Sequence, residues 1–512
     1  MILGDPSQAT GASAPGGRAT LDDLFRRAAL RRPGAVALID PPNREAFTDG
    51  PPRRLTYAQA DRLISAIAGR LRRLGLQTDA IVGIQLPNTV ENVLTMLGVL
   101  RAGMIAAPMP LLWRRGDLVT ALSRLGAKIL ITCGHVGAVD HADLAMHAAA
   151  DIFPIRYVCA FGGNLPDGAI PFDDLYSTEK LDPLPPMERE RGGNPAAHLA
   201  LITWDAATDS LVPVARSHME IIAGGLAILL EGRFEQDTTF LSALAPSSFA
   251  GMVLTILPWL LTGGTLALHQ PFDPESLAAQ LSEDCTAAIL PGPVVPRLVE
   301  AGLFAKAGSL TTVLGLWRAP ERLSAAAVWR ERNIAFLDVI AFGETCVIGT
   351  RRGASGKPAP IAFGAITAPR GAPGAILVAE LTRTEAGTIA LRGPMVPRHP
   401  FPPGAERSTL PYFKSVNGVV DTGYTCRVDR DTRTMVVTGP PAGIVAVGGY
   451  RFPLHELQSL VAGVEGSGRI AVLPDALSGQ RLAGSADDAE AVRAALARRG
   501  VNPLVAEAFA AP

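Results

Sequence analysis

From residue 55 onward the apolar positions change period in step with the punctuation between them. Leu63, Ile64, Ile67, Leu71 and Leu74 recur three or four apart, the spacing of one helix face; Thr56 stands where an N-cap belongs and Gly75 where the helix must stop. Ile81-Val82-Gly83-Ile84-Gln85-Leu86 is then a short apolar run of strand length. A second helix is predicted over residues 90–102, closed by Gly103, and a third after Asp117. Lys128-Ile129-Leu130-Ile131-Thr132 reads as the next strand. Helix and strand alternating at this spacing imply a mostly parallel sheet with right-handed crossovers.

A polar, proline-rich interval at residues 181–195 separates this block from a second one. There the pattern predicts strands over 199–203, 238–244, 265–268, 287–290, 312–316 and 334–339, with helices over 274–281 and 321–332 among those between them. The apolar runs at 221–230 and 252–261 are too short to span a bilayer, and the second contains Pro258, so they read as buried helices. From 357 to 392 short alternating runs rich in Gly and Pro predict antiparallel strands. Gly439-Pro440-Pro441-Ala442-Gly443 is a loop by composition. The expected organisation is a disordered lead-in over 1–20 and a large domain over 21–438 with a β subdomain from about 357. A small C-terminal α+β domain follows over 439–512. The fold class is α/β, with helix-flanked parallel sheets in the large domain.

Composition narrows the function classes. A formal charge of −1 with 19% charged residues offers no basic face for nucleic acid. Five widely spaced cysteines without a CxxC pair argue against a disulfide framework or zinc site and for a reducing cytoplasm. The Gly/Ala/Pro-rich first twenty residues lack the apolar core of a signal peptide. Lysine is scarce: Lys128, Lys180, Lys306, Lys357 and Lys414 are all there are, and none follows Lys414.

Several segments resemble one family. Leu55-Thr56-Tyr57-Ala58-Gln59-Ala60, Ile81 to Asn88, Leu97-Gly98-Val99-Leu100-Arg101-Ala102-Gly103 and Phe272-Asp273-Pro274 are similar to signatures of the AMP-forming acyl-CoA synthetases, the adenylate-forming ligases. The resemblance runs from about Leu21 to the C-terminus and implies the fold of that family: a large domain and a small one that rotate against each other. It implies ATP, Mg²⁺ and CoA as cofactors and a carboxylic acid as substrate. None of these is read from the residues themselves.

The residues that would do the chemistry depart from the pattern. The family writes its phosphate loop T-S-G-T-T-G-x-P-K-G-V, followed by S/T-H. Here Thr208, Val214, Ser217 and His218 match, but Asp205, Ala206, Ala207, Asp209, Leu211, Val212 and Pro213 replace Ser, Gly, Thr, Gly, Pro, Lys and Gly. Glycines let backbone N–H groups converge on phosphate at positive φ, and the Lys supplies a point charge. Replacing them leaves two carboxylates, Asp205 and Asp209, where a polyanion would lie. The segment reads as an ordinary strand-to-helix loop whose Asp and Ser side chains satisfy local backbone groups.

The same contrast recurs downstream. Phe342-Gly343-Glu344-Thr345-Cys346 resembles Y-G-x-T-E, in which the aromatic packs near adenine, the Thr meets phosphate and the Glu supports Mg²⁺. Cys346 replaces that acid, and a thiol is a poor ligand for a hard cation; it reads as a small buried apolar residue. Asp421-Thr422-Gly423-Tyr424 resembles T-G-D, with Tyr424 at the ribose-binding Asp. Residues 439–443 take the place of G-R-x-K/D-D, so the second ribose contact is gone and two prolines stiffen the hinge. Gly448-Gly449-Tyr450-Arg451-Phe452 with Glu456 is similar to the small domain's G-Y-x-x-x-P-x-E. The P-x-x-x-x-G-K segment that ends the family's small domain has no counterpart before Pro512; Arg481, Arg493, Arg498 and Arg499 read as a solvated helix face.

Thr208, Phe342, Gly343, Thr345, Asp421 and Tyr424 are thus the nucleotide-pocket equivalents. Phe249, Trp317 and Arg318 are the candidates for an acyl pocket, with Trp317 and Arg318 at a Gly-Gly turn of the family, where they narrow the space. Arg318 has two readings, partner to a carboxylate or structural surface Arg. The expectation is a ligase relative with adenylation lost or strongly reduced, keeping a small-molecule acyl or aryl ligand or a partner. Two alternatives stay open: a working acyl- or aryl-CoA ligase with a rewritten site, and a non-catalytic subunit pairing with an active paralogue or with itself.

Overall fold

The computed structural model describes residues 17–177, 192–331, 333–464 and 468–510. Most of the expected lead-in and of the 181–195 interval lies outside them. Thr20, at the end of that lead-in, caps the first helix, Leu21–Arg31, in a reciprocal box with Asp23.

Two sheets with parallel interiors form the large part of the chain. The first runs, by residue range, 346–351, 335–342, 312–317, 287–291, 239–242, 265–268, 36–39, 54–56. The second runs 211–217, 199–206, 105–108, 81–84, 129–133, 157–161, 170–171. Interior neighbours are parallel, and each sheet ends on one side in an antiparallel hairpin, 335–342 with 346–351 and 199–206 with 211–217. The helix His218–Gly232 packs between these two edges.

The segments named as family signatures work as structure. Thr56 caps Tyr57–Arg73 and exchanges bonds with Gln59. The Asn88 side chain donates to the Ser242 and His269 carbonyls, tying one sheet to the other. Gly98 lets two helices touch, since a Cβ there would lie 2.6 Å from Ile67 Cγ2. Asp273 caps Pro274–Ser282. The predicted helix over 321–332 is not formed: a short 3₁₀ turn, Pro320–Ala325, is followed by irregular backbone through 331. The 252–261 run is helical but interrupted by a π turn, Met252–Ile256, just before Pro258.

A six-stranded antiparallel sheet spans Ile361 to Gly439. Beyond Gly443 a four-stranded sheet and the helices Leu454–Ala462 and Ala489–Arg498 enclose their own apolar cluster, including Val445, Leu457, Val492, Leu496 and Phe509. This C-terminal module is seated on the large part. Across the seam Gly116 N–H donates to the Gly500 carbonyl at 2.8 Å, Leu112 N–H to the Tyr450 hydroxyl at 3.3 Å and Arg322 to the Gly479 carbonyl at 3.2 Å. Among the described residues no helix is long and apolar enough to cross a membrane.

Candidate functional site between the large part and the C-terminal module

The segment expected to be a strand-to-helix loop is a β-hairpin. Leu199–Ala206 pairs with Leu211–Ser217 along its whole length, from Leu199 opposite Ser217 to Ala206 opposite Leu211, and Ala207 N–H closes the turn on the Ser210 carbonyl. Without the glycines the backbone extends, and alternate donors are spent on the ladder. Pro213 is tolerated because the second strand is the sheet edge. Thr208 and Asp209 sit exposed at the tip. Ser217 then caps the next helix with Glu220, and His218 Nδ1 accepts from Leu21 N–H at 3.3 Å. The matching Ser-His pair therefore has structural work of its own.

Asp205 does not face an open loop. Its carboxylate is buried, accepts from the Ala206 and Glu344 amides at 2.7 and 2.8 Å, and is ion-paired with Arg451 of the C-terminal module. This pair passes directly over Gly343, whose φ of +55° holds the turn; a Cβ on Gly343 would run into the Arg451 guanidinium. The pairing with Asp205 holds the Arg451 pKa above its ordinary value even though burial pulls it down. Arg451 was missed in the sequence because its carboxylate lies 246 positions away.

The ring of Phe342, expected beside adenine, meets Tyr424 edge-on at 5.5 Å and 83°. Tyr424 is itself buried, its phenol pushed up to about 12 by desolvation, and the Arg451 guanidinium lies 5.9 Å from its ring. Asp421 is exposed and binds its own turn through Gly423 N–H, so it does not stand in for the ribose Asp. What stays open beside Gly343 is a cavity of about 30 Å³, lined by Trp204, Arg318, Gly343, Glu344, Gly449 and Arg451.

Thr345 is buried, and its carbonyl faces Arg216 Nη2 at 3.4 Å. Cys346 is fully buried against the Met395 sulfur at 3.5 Å, its thiol pushed up to about 12 by burial. Glu344, its neighbour by two, accepts from Phe249 N–H at 2.7 Å. Among the described residues no three His, Cys, Asp or Glu side chains are grouped as metal ligands would be. The residues here fit Mg²⁺ poorly, because the sulfur is a protonated thiol in the core, and alternate amides of the segment that would meet a triphosphate are spent on the ladder.

Phe249 is not in an open pocket. Arg216 lies over its ring at 3.8 Å, fully buried, with Nε and Nη1 lacking hydrogen-bond partners. Burial lowers the pKa of this guanidinium, and the nearby carboxylates, Glu344 foremost, oppose that. The signal was readable: on an extended strand Val212, Val214 and Arg216 share a face, so an Arg follows two apolar residues inward.

Trp317 and Arg318 do face open space. A cavity of about 720 Å³ lies between the large part and the C-terminal module, with Trp113, Trp204, Trp317, Arg318, Tyr450 and Leu457 among its walls. The Trp317 indole N–H is fixed by Asp338 at 2.8 Å, and its ring leaves no room for a side chain at Gly292. Arg318 donates to the Ser248 hydroxyl at 2.9 Å. Arg499, placed on a solvated face by its sequence, also reaches this cavity and donates to the Gly463 carbonyl.

Residues 25–398 match the family described as AMP-binding enzyme, and the chain belongs to it. Human long-chain fatty acid transport protein 1 is 32% identical over 166 residues, which are 32% of this chain and 23% of that protein. Tyrocidine synthase 1 of Brevibacillus parabrevis is 34% identical over 122 residues, 24% of this chain and 10% of that protein. The chain thus spans under a quarter of either relative. An amide bond synthetase from Marinactinospora thermotolerans superposes with a TM-score of 0.69 at 18% identity, covering 95% of this chain and 94% of that one. A fatty acyl CoA synthetase from Mycobacterium tuberculosis gives 0.62 at 18%, covering 91% and 87%. At these identities the likeness is one of fold.

Proposed function

We propose that this family member has lost ATP-dependent adenylation of carboxylates and acts by holding a small organic ligand between the large part and the C-terminal module. One observation carries the reading: the Asp205–Arg451 pair lies across Gly343, and Tyr424, standing where the family has its ribose-binding Asp, packs its ring on Phe342, the aromatic expected beside adenine. Three further features support it. Alternate amides of the loop segment are committed to a β ladder, Val212 replaces the loop Lys on a buried face, and the acid associated with Mg²⁺ is a buried thiol. What remains spacious is the 720 Å³ cavity, within the usual range for organic ligands. The test is exchange of labelled pyrophosphate into ATP across a panel of aliphatic and aromatic carboxylic acids. The expected result is no acid-dependent exchange; sustained exchange with any one acid overturns the proposal.

A further inference from the structure

The hairpin over residues 199–217 is fastened to the large part on one side and touches the connection to the C-terminal module on the other. The Trp204 ring meets Trp113 edge-on at 5.8 Å and 64°. The Leu211 carbonyl accepts from Arg124, on the helix Arg115–Leu125, whose other terminal nitrogen donates to the Pro411 carbonyl. Two strands bonded to each other and fixed at these two points form a stiff arm.

Residues 440–443 alone join the last-formed strand of the six-stranded sheet, Thr434–Gly439, to the first strand of the module, Ile444–Val447. Any swing of the module must be absorbed by the φ and ψ angles of this short connection. Pro440 and Pro441 have φ fixed by their rings. Pro441 is also buried against Gly423, where a Cβ would lie 3.0 Å from Pro441 Cβ. Gly443, at a φ of +74°, lies under the hairpin tip: a Cβ there would be 3.2 Å from Thr208 Cγ2. Further down the same arm Asp205 is paired with Arg451, on the module's strand Tyr450–Pro453. The arm therefore meets the connection and the module together.

We propose that the hairpin is a strut that holds the C-terminal module in a single orientation, so that residues 440–443 do not act as a hinge. The module then keeps the same walls on the large cavity whatever enters it. That cavity is a standing feature of the molecule, not one assembled around a ligand. Nothing in this arrangement depends on what the nucleotide-pocket residues bind.

Pulsed electron–electron distance measurements on the full chain test it. Spin labels go on Arg27→Cys, exposed on the helix Leu21–Arg31, and on Glu490→Cys, exposed on the helix Ala489–Arg498. The five native cysteines are buried, which keeps the label off them. One narrow distance distribution is expected, unchanged by Mg²⁺–ATP, by coenzyme A or by acetate, benzoate and octanoate. Pro440→Ala with Pro441→Ala relaxes the connection but leaves the arm, and should keep that distribution. Replacing residues 207–210 with Asn-Gly shortens the tip while Ala206 stays opposite Leu211. Combined with Asp205→Asn, it removes both contacts and should add a second population of about a tenth of the molecules or more. Thermal scans show whether the shortened chain folds; if it does not, Asp205→Asn in the full-length arm carries the test and should broaden the distribution. Two populations in the wild-type chain, a ligand-dependent shift, broadening in the proline variant, or a wild-type distribution in the arm variants overturns the proposal.

Discussion

Removing either half of the Asp205–Arg451 pair should loosen the C-terminal module by different amounts, and the difference follows from what each partner keeps. The side chains are 7% and 15% exposed, so the pair is nearly cut off from solvent. In Arg451→Ala, Asp205 still accepts from the Ala206 and Glu344 amides, so the loss is one charge-assisted bond, about 1.5–3 kcal/mol. In Asp205→Ala, a buried guanidinium whose Nε already lacks a partner loses its counter-ion, which costs about 3–5 kcal/mol. At about 1.4 kcal/mol per decade, seam opening rises roughly one to two decades in the first variant and two to four in the second. Hydrogen exchange of the Gly116 and Leu112 amides reads this directly, because both donate across the seam. The double variant should exchange more slowly than Asp205→Ala alone, since it leaves no stranded charge. Wild-type exchange in both single variants would refute the claim that this pair holds the seam.

Two further outcomes follow from the same geometry. Gly343→Ala places a Cβ against the Arg451 guanidinium at a φ of +55°, and should open the seam as Arg451→Ala does while leaving far-UV circular dichroism unchanged; wild-type exchange would count against it. The Asp117 carboxyl, pushed up to about 7 by burial, with Glu456 adding to the rise and Arg114 opposing it, makes docking depend on pH. A raised carboxyl pKa penalises the docked state once the group ionises. That penalty grows as pH climbs from about 4 and is complete above about 7. Seam exchange should accelerate across that range, and Asp117→Asn, which still accepts from Arg114 N–H, should flatten the profile; a variant that keeps the wild-type slope would assign it elsewhere.

The elements legible in the sequence were those set by local spacing. The helix from Thr56, the strands at 81–84 and 129–133 and the helix from Pro274 follow from periodicity and end signals, and they appear within a residue or two. The helix expected over 321–332 failed because Ala325-Ala326-Ala327 has helix propensity but too few apolar neighbours at helical spacing to hold it to the sheet. Trp317 and Arg318 were singled out because they stand at a position that the resemblance marks as a turn, and both line the large cavity. Phe249 was drawn by the same analogy and lies instead beneath Arg216, outside the cavity. The charges that shape the site were not legible as a set. Asp205, Arg216, Glu344 and Arg451 come from segments far apart in sequence, and only the fold brings them together.

The hairpin that stands where the family has its phosphate loop is not converted into one by restoring a single charge. In the family's pattern a Lys stands where Val212 is, and the simplest repair would be Val212→Lys. Val212, however, is 2% exposed and pairs with Asp205 in the regular part of the ladder, from Leu201 to Ala206. A Lys there is buried on the same face as Val214 and Arg216, beside a guanidinium that is already short of partners. Its ammonium must either lose its proton or break the hairpin, and either course costs several kcal/mol. Val212→Lys is therefore expected to lower the melting temperature by roughly 3 °C, for a loss of about 3 kcal/mol in a chain of this size, without creating acid-dependent exchange. Adding Tyr424→Asp should not change that outcome, because alternate backbone N–H groups of the segment that would meet phosphate stay bonded between the two strands. Acid-dependent exchange gained in the double variant would show that the missing charges alone, and not the extended backbone, had closed the site.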